Sequence, residues 1–306
     1  NIIYTIKQPG DSTEFYKSTD GGLNFTRKTN GWPTPGTGNE QKRTEIATTP
    51  ADANMIYALA TGAANGGSGL YGIYTSTDAG ETWSRTCCGP QPAGVPNAAT
   101  NPNLMAWADD GSDDGGQYYY DLALEVADDD PAKVHVAGVN HWVSTDSGKT
   151  FTCPSKWSHS GKVNYVHADI HDIRAYGDDL WFACDGGIFY TNDGGDTIDR
   201  RLYGLAGTDF WGFGAGYGPD NGNVMVGGTY HNGTLLKDGN VYTNDWLSCE
   251  GGDNYRGFVN FKDDRKVVTD YSGRVLSGDR TVSWTSFNFS KKPNASYTIG
   301  QSSDIE

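Results

Sequence analysis

The octad Ser76-Thr-Asp-Ala-Gly-Glu-Thr-Trp83 decides the fold, because close copies of it recur along the chain. The copies are Ser18-Thr-Asp-Gly-Gly-Leu-Asn-Phe25, Ser144-Thr-Asp-Ser-Gly-Lys-Thr-Phe151 and Thr191-Asn-Asp-Gly-Gly-Asp-Thr-Ile198. Successive copies are about 47 to 68 residues apart, a period typical of a four-stranded propeller blade with loop insertions. Hydroxyl and carboxylate groups bond to nearby backbone, glycine takes positive φ, and the last residue returns to the core. The octads therefore predict repeated hairpin turns, with structural roles for their central residues Asp20, Asp78, Asp146 and Asp193.

Strand-like runs precede the octads, and similar runs continue after the last of them. Among these runs are Met55–Ala60, Tyr71–Ser76, Tyr120–Val126, Val134–Ala137, His167–Ala175, Leu180–Ala183, Val224–Gly228, Thr234–Lys237, Lys266–Asp270 and Arg274–Ser277. We expect an all-β fold, a β-propeller of four-stranded antiparallel blades. Six blades are predicted, with seven as the alternative if residues are missing from the chain.

The two ends of the chain are predicted to share one blade. Ile2–Ile6 reads as a second strand without an innermost partner, and Tyr297–Ile305 reads as an innermost strand without successors. Their pairing would close the ring and leave no exposed sheet edge. We expect residues 1–306 to form a single propeller domain, part of a longer secreted protein whose leader has been removed.

Composition and charge narrow the function classes. The 306 residues include 42 Gly, 18 Tyr and 9 Trp, which favours short strands and tight turns. The net charge of -15 argues against nucleic-acid binding, which needs a basic face, and no apolar run is long enough for membrane insertion.

The five cysteines form no CxxC pair, which argues against a zinc site of ordinary spacing. Because adjacent cysteines do not easily bond to each other, we expect Cys87 or Cys88 to pair with a distant residue such as Cys153.

The octads resemble the Asp-box, or bacterial neuraminidase repeat, family of propellers. That family includes sialidases, sortilin-type receptors and xyloglucanases, and its box joins the two outer strands of a blade. A narrower resemblance is to secreted Bacteroidetes proteins exported by type IX secretion. It depends on Lys42-Arg-Thr-Glu-Ile46, Gly115-Gly-Gln-Tyr-Tyr-Tyr-Asp-Leu122, His167-Ala-Asp-Ile-His-Asp-Ile173, Asp185-Gly-Gly-Ile188, Gly227–Thr234 and Gly251-Gly-Asp253. The resemblance implies an extracellular or cell-surface protein and leaves its chemistry open.

Two segments are candidate metal sites. On a regular strand His167, Asp169 and His171 share one face, where they could ligate a metal or simply line the central channel of the propeller. The run from Asp109 to Gly116 offers Asp109, Asp110, Asp113 and Asp114 to Ca²⁺, although it lacks the spacing of an EF-hand loop and also reads as a solvated turn.

Candidate ligand-binding and catalytic residues lie nearby in sequence. Trp107, Tyr118, Tyr119 and Tyr120 could form an aromatic platform for sugars or pack between blades. For hydrolysis of a glycosidic bond by two carboxylates, the candidates are Asp169, Asp185 and Asp253. Arg43, Arg174 and Arg256 are a weak substitute for the arginine cluster that a sialidase needs, so we do not expect a sialidase.

Two function classes follow from these candidates. The first is a module for binding or adhesion to glycans or surface partners, and the second is a polysaccharide hydrolase resembling xyloglucanases. No cofactor is required by either, and Ca²⁺ is the one candidate.

Overall fold

The computed structural model is all-β, and its strands form six antiparallel sheets. It describes residues 1–34, 40–63, 69–88, 101–202, 204, 209–216, 222–229, 233–238, 246–250, 257–259, 267–269, 274–276 and 284–286. The chain divides into two compact units, Asn1–Tyr203 with four sheets and Gly204–Glu306 with two. The prediction of a single domain over 1–306 stays a prediction.

Each sheet is an up-and-down meander in which neighbours in sequence pair with each other. The first sheet contains β1 (Ile3–Lys7), β2 (Glu14–Ser18) and β3 (Thr26–Lys28). The second contains β4 (Glu40–Thr49), β5 (Asp52–Ala63), β6 (Gly69–Ser76) and β7 (Ser84–Cys87). The third contains β8 (Ala123–Val126), β9 (Val134–Ala137), β10 (His141–Ser144) and β11 (Thr152–Ser155), and the fourth β12 (Ile170–Tyr176), β13 (Asp179–Cys184), β14 (Gly187–Thr191) and β15 (Asp199–Arg200).

The second unit holds the remaining two sheets. They contain β16 (Phe210–Ala215), β17 (Val224–Thr229), β18 (Gly233–Asp238) and β19 (Leu247–Glu250), then β20 (Gly257–Val259), β21 (Val267–Thr269), β22 (Arg274–Leu276) and β23 (Trp284–Ser286). The predicted strand runs that fall on described residues overlap these strands, usually with shifted ends. Four-stranded meanders of this kind are the blades of a β-propeller.

The four octads fold into one common turn between the third and fourth strands of the later sheets, and between β2 and β3 of the first. Ser76 Oγ donates to Asp78 Oδ1 at 2.8 Å and accepts from Gly80 N at 2.8 Å. Gly80 has φ +83°, a backbone conformation that glycine adopts without strain. Equivalent bonds recur around Asp20, Asp146 and Asp193. The last residue of the octad differs: Trp83 is buried, whereas Phe25 is exposed.

The core of the first unit lies between consecutive sheets. One cluster joins the second and third sheets through residues such as Tyr57 and Trp142, and another joins the third and fourth through Ala137 and Phe182. The strands β4, β8 and β12, each first in its sheet, are in contact with their neighbours. The packing therefore brings the beginnings of these strands together.

The first sheet has three strands, and β1 pairs with the strand that leads into the first octad. Among the described residues β1 pairs with β2 alone, and its place as the second strand of a shared blade stays a prediction. The proposed partner Tyr297–Ile305 lies outside the described residues, so ring closure and the count of six or seven blades stay predictions.

The disulfide prediction is wrong for the adjacent cysteines. Cys87 and Cys88 bond to each other across a cis peptide, and Cys153 is a free thiol. The expectation that adjacent cysteines do not easily bond is not met, since the Cα atoms of Cys87 and Cys88 lie 3.1 Å apart.

Candidate functional site

The candidate site lies where β8 and β12 begin. Residues 117–122 lead into β8, residues 167–169 lead into β12, and Asp185 occupies the tight turn between β13 and β14. Ile170 pairs with Cys184, which places this turn beside the start of β12. Because β8 and β12 are in contact, segments distant in sequence meet at one end of the two sheets.

Arg43, which lies in β4 of the neighbouring sheet, forms hydrogen bonds to the segment 117–122. Its guanidinium donates to the carbonyl oxygens of Tyr118 at 3.4 Å, Tyr120 at 3.2 Å and Leu122 at 3.3 Å. A planar guanidinium has five N–H donors, so one arginine can bond to three carbonyl oxygens at once. Arg43 therefore positions the residues that carry the site.

Tyr120, His171 and Asp185 form a hydrogen-bonded cluster at the surface. Tyr120 Oη donates to Asp185 Oδ2 at 2.8 Å, and His171 Nε2 lies 2.7 Å from Asp185 Oδ1. The Tyr120 and His171 rings meet edge to face, with 4.9 Å between their centroids. Tyr120 is 37% exposed, and the His171 side chain is 38% exposed. The cluster therefore offers a ring, an imidazole and a carboxylate to a ligand.

A second, buried cluster contains Gln117, Asp121 and Asp169. Gln117 Nε2 donates to Asp121 Oδ2 at 3.2 Å and also to Asp169 Oδ1. Asp121 is 1% exposed and Asp169 5% exposed. Burial raises the pKa of Asp121 to about 7; the bond from Gln117 opposes this rise and the charge of Asp169 adds to it. Two carboxyl groups are thus held close together away from water.

The predicted group of His167, Asp169 and His171 does not share one face of a strand. The strand begins only at Ile170, and Asp169 has φ +64°, so the alternation of side chains is broken before His171. His167 Nδ1 lies 3.0 Å from the carbonyl oxygen of Ala168, and its ring packs against Gly186. Within the described ranges, no three His, Cys, Asp or Glu side chains are grouped to hold a metal.

The acidic run from Asp109 to Asp114 is a turn whose carboxylates have other partners. Asp113 accepts from Ala108 N at 2.6 Å and Gly115 N at 2.8 Å. Asp110 accepts from Ser112 N at 3.0 Å. Asp109 pairs with Lys156 at 3.0 Å. Three of the four predicted Ca²⁺ ligands thus take part in turn bonds or an ion pair, and Ca²⁺ binding by the run stays a prediction.

The four predicted aromatic ligands have different surroundings. Tyr118 packs against the core, and its ring meets that of Tyr119 edge to face at 5.9 Å. Tyr119 is 74% exposed, and Trp107 is 42% exposed and contacts Trp157. Tyr119 and Tyr120 are therefore both exposed, and Tyr120 contacts the Asp185 carboxylate.

The catalytic candidates are partly brought together. The backbone N of Asp185 donates to the carbonyl oxygen of Asp169 at 3.3 Å, so these two residues are neighbours. Asp253 lies outside the described residues. Gln117 and Asp121 were not predicted as site residues; the only signal was the position of Asp121 between a tyrosine run and the apolar start of β8.

Hydrogen bonds within the octads keep their carboxylates ionised. Bonds from Asn24 and Ser18 lower the pKa of Asp20 to about 2, and bonds from Thr197 and Thr191 lower the pKa of Asp193 to about 2. Bonds from Thr82 also lower the pKa of Asp78. All three carboxylates are committed to their own turns.

No protein-family model and no curated protein matches the chain. Solved structures similar to it include the GH74 xyloglucanase from Xanthomonas campestris, at 14% identity over 90% of this chain and 42% of that one, with TM-score 0.37. YCF48 from Cyanidioschyzon merolae is 12% identical over 88% of this chain and 76% of that one, with TM-score 0.36. The extracellular domain of a proposed hybrid two-component system from B. thetaiotaomicron is 15% identical over 89% of this chain and 33% of that one, with TM-score 0.35. The chain thus spans less than half of the xyloglucanase, and the function has to be argued from the site.

Proposed function

We propose that the chain is a secreted or cell-surface six-bladed propeller of the Asp-box kind that binds glycans at the cluster of Tyr120, His171 and Asp185. The observation that carries the proposal is the hydrogen-bonded Asp185 carboxylate between two part-exposed rings. Sugars are bound by polar groups that exchange hydrogen bonds with hydroxyls and by aromatic rings that cover their apolar faces. Tyr119, which precedes Tyr120 in the chain and is 74% exposed, supplies such a surface.

An extracellular location and export by type IX secretion belong to the same proposal. In the part of the chain that the structure describes, there is no helix long and apolar enough to cross a membrane. The net charge of -15 favours uncharged or cationic partners over anionic ones.

A screen against plant and algal polysaccharides, scored for both binding and released sugars, tests the proposal. We expect Tyr119→Ala and Tyr120→Phe to weaken binding of any captured glycan by about tenfold, which corresponds to about 1.4 kcal/mol. Tyr176→Ala is the matched control, because Tyr176 is 62% exposed at the opposite end of β12. Equal binding by all three variants would reject this site.

The alternative is a polysaccharide hydrolase. It is favoured by the proximity of Asp169 and Asp185, which are two of the carboxylates predicted for catalysis. Release of reducing sugars that is lost in Asp185→Asn, with binding retained, would establish the hydrolase in place of the binding module.

A further inference from the structure

We propose that Gln117, Asp121 and Asp169 form a binding site for a single Ca²⁺ ion between the beginnings of β8 and β12. The proposal is independent of glycan binding. It differs from the metal sites expected from the sequence, since it uses neither His167 nor the acidic run beginning at Asp109.

The first argument is charge. One amide nitrogen, Gln117 Nε2, contacts the carboxyl groups of both Asp121 and Asp169, so the two groups lie close together. Within the described residues no lysine or arginine forms an ion pair with Asp121. Two adjacent buried carboxylates repel each other strongly unless a cation or a proton lies between them.

The second argument concerns one oxygen atom. Asp121 Oδ1 is fully buried and has no hydrogen-bond partner among the described residues. A proton on this oxygen would be a buried donor without an acceptor among the described residues. A cation is compatible with both oxygens, because a carboxylate can bind Ca²⁺ through one or two oxygens.

The third argument is the chemistry of the ligands. The oxygen and nitrogen of a glutamine amide are exchanged by a half-turn, and the turned amide directs Oε1 of Gln117 at the same point as the two carboxylates. All ligands are then oxygens, while the nearby His171 Nε2 is held by Asp185. Oxygen ligands with room for backbone carbonyls and water select Ca²⁺ over Zn²⁺.

Calorimetric titration of the EDTA-treated, dialysed full chain with CaCl2 tests the site. We expect one Ca²⁺ per chain and a higher unfolding temperature when Ca²⁺ is present. Asp169→Asn should weaken Ca²⁺ binding by at least about tenfold. The double variant Asp110→Asn/Asp114→Asn is the matched control in the acidic run and should bind Ca²⁺ like the wild type.

Gln117→Glu keeps the test decisive should Asp169→Asn fail to fold. A third carboxylate should tighten Ca²⁺ binding by about tenfold and make the unfolding temperature more dependent on Ca²⁺. Absence of binding heat at millimolar CaCl2 would overturn the proposal in favour of a shared proton or an ordered water. Loss of binding in the acidic-run double variant alone would place the ion there instead. Glycan binding is measured separately in EDTA, so that the two proposals can fail independently.

Discussion

Thr82 donates two hydrogen bonds to Asp78, from its backbone N to Oδ1 at 2.8 Å and from its Oγ1 to Oδ2 at 2.6 Å. Ser76 adds a third bond to the same carboxylate. We expect Asp78→Ala to lower the free energy of unfolding by about 1 to 3 kcal/mol, because the turn loses the charged acceptor of these three hydrogen bonds. Urea unfolding measures the change, with the exposed Asp178→Ala as control. Equal stability of Asp78→Ala and wild type would contradict the turn role.

The turns and strands could be predicted because their signals are local. In each octad the hydroxyl, carboxylate and glycine that bond to one another lie within a few residues, as in the segment from Ser76 to Thr82. The strand alternation around Ile173 and Ala175 is similarly visible in the sequence, and both residues are buried.

The site could be predicted only in part, because its contacts join distant segments. Asp121 and Asp169 meet through Gln117 since β8 and β12 pack side by side, and nothing local to Asp121 indicates this. The positive φ of Asp169 broke the periodicity on which the predicted grouping with His167 and His171 depended. Backbone conformations of this kind in a residue other than glycine are set by tertiary contacts.

His135 and His141 predict a loss of stability in mild acid. Both are buried, with Nδ1 of His135 3.0 Å from Nε2 of His141, and Nδ1 of His141 3.1 Å from Ser155 Oγ. Burial, helped by the charge of Lys133, lowers the pKa of His135 to about 3, and burial also lowers that of His141. The unfolded chain takes up protons near pH 6.5 while the folded chain does not. The contribution of the histidine pair to stability is therefore full above pH 6.5 and is lost as the pH is lowered.

The measurement is the free energy of unfolding at pH 7 and pH 4.5. For His135 alone the expected loss is about 2 to 3 kcal/mol over this interval. The carboxyls of an unfolded chain have pKa values of about 3.9, so the octad residues Asp20 and Asp193 lose little of their contribution above pH 4.5. Burial raises the pKa of Asp121 to about 7, and this gives a change of the opposite sign that the wild type and a His135 variant share. Compared with the wild type, His135→Gln should have a higher free energy of unfolding at pH 4.5 relative to its value at pH 7. An unchanged difference between the two pH values in this variant would show that the histidine pair is not its source.

Gly186 is predicted to be intolerant of any side chain. A Cβ atom at this position would overlap the Cβ and Cγ atoms of His167, which are too close to the backbone to move aside. We expect Gly186→Ala to cost about 1 to 3 kcal/mol through overpacking. Gly138→Ala is the control, because a Cβ there would approach no atom closer than 3.6 Å. Thermal unfolding should separate the two variants, and equal melting temperatures would be inconsistent with the packing of His167.

The three carbonyl acceptors of Arg43 predict that this residue orders the segment from Gln117 to Leu122. Arg43→Lys keeps the charge but replaces the planar guanidinium by a compact ammonium group, which cannot reach all three carbonyl oxygens at once. We expect a stability loss of about 1 to 2 kcal/mol and faster amide hydrogen exchange in residues 117–122. Arg174→Lys is the matched control, since Arg174 makes ion pairs with Glu125 and Asp172 at the surface.

Because Tyr120 lies in the segment, Arg43→Lys should also weaken glycan binding, whereas Arg174→Lys should leave it unchanged. Exchange rates in 117–122 that match the wild type would show that the segment is held by the packing of Tyr118 and Leu122 and not by Arg43.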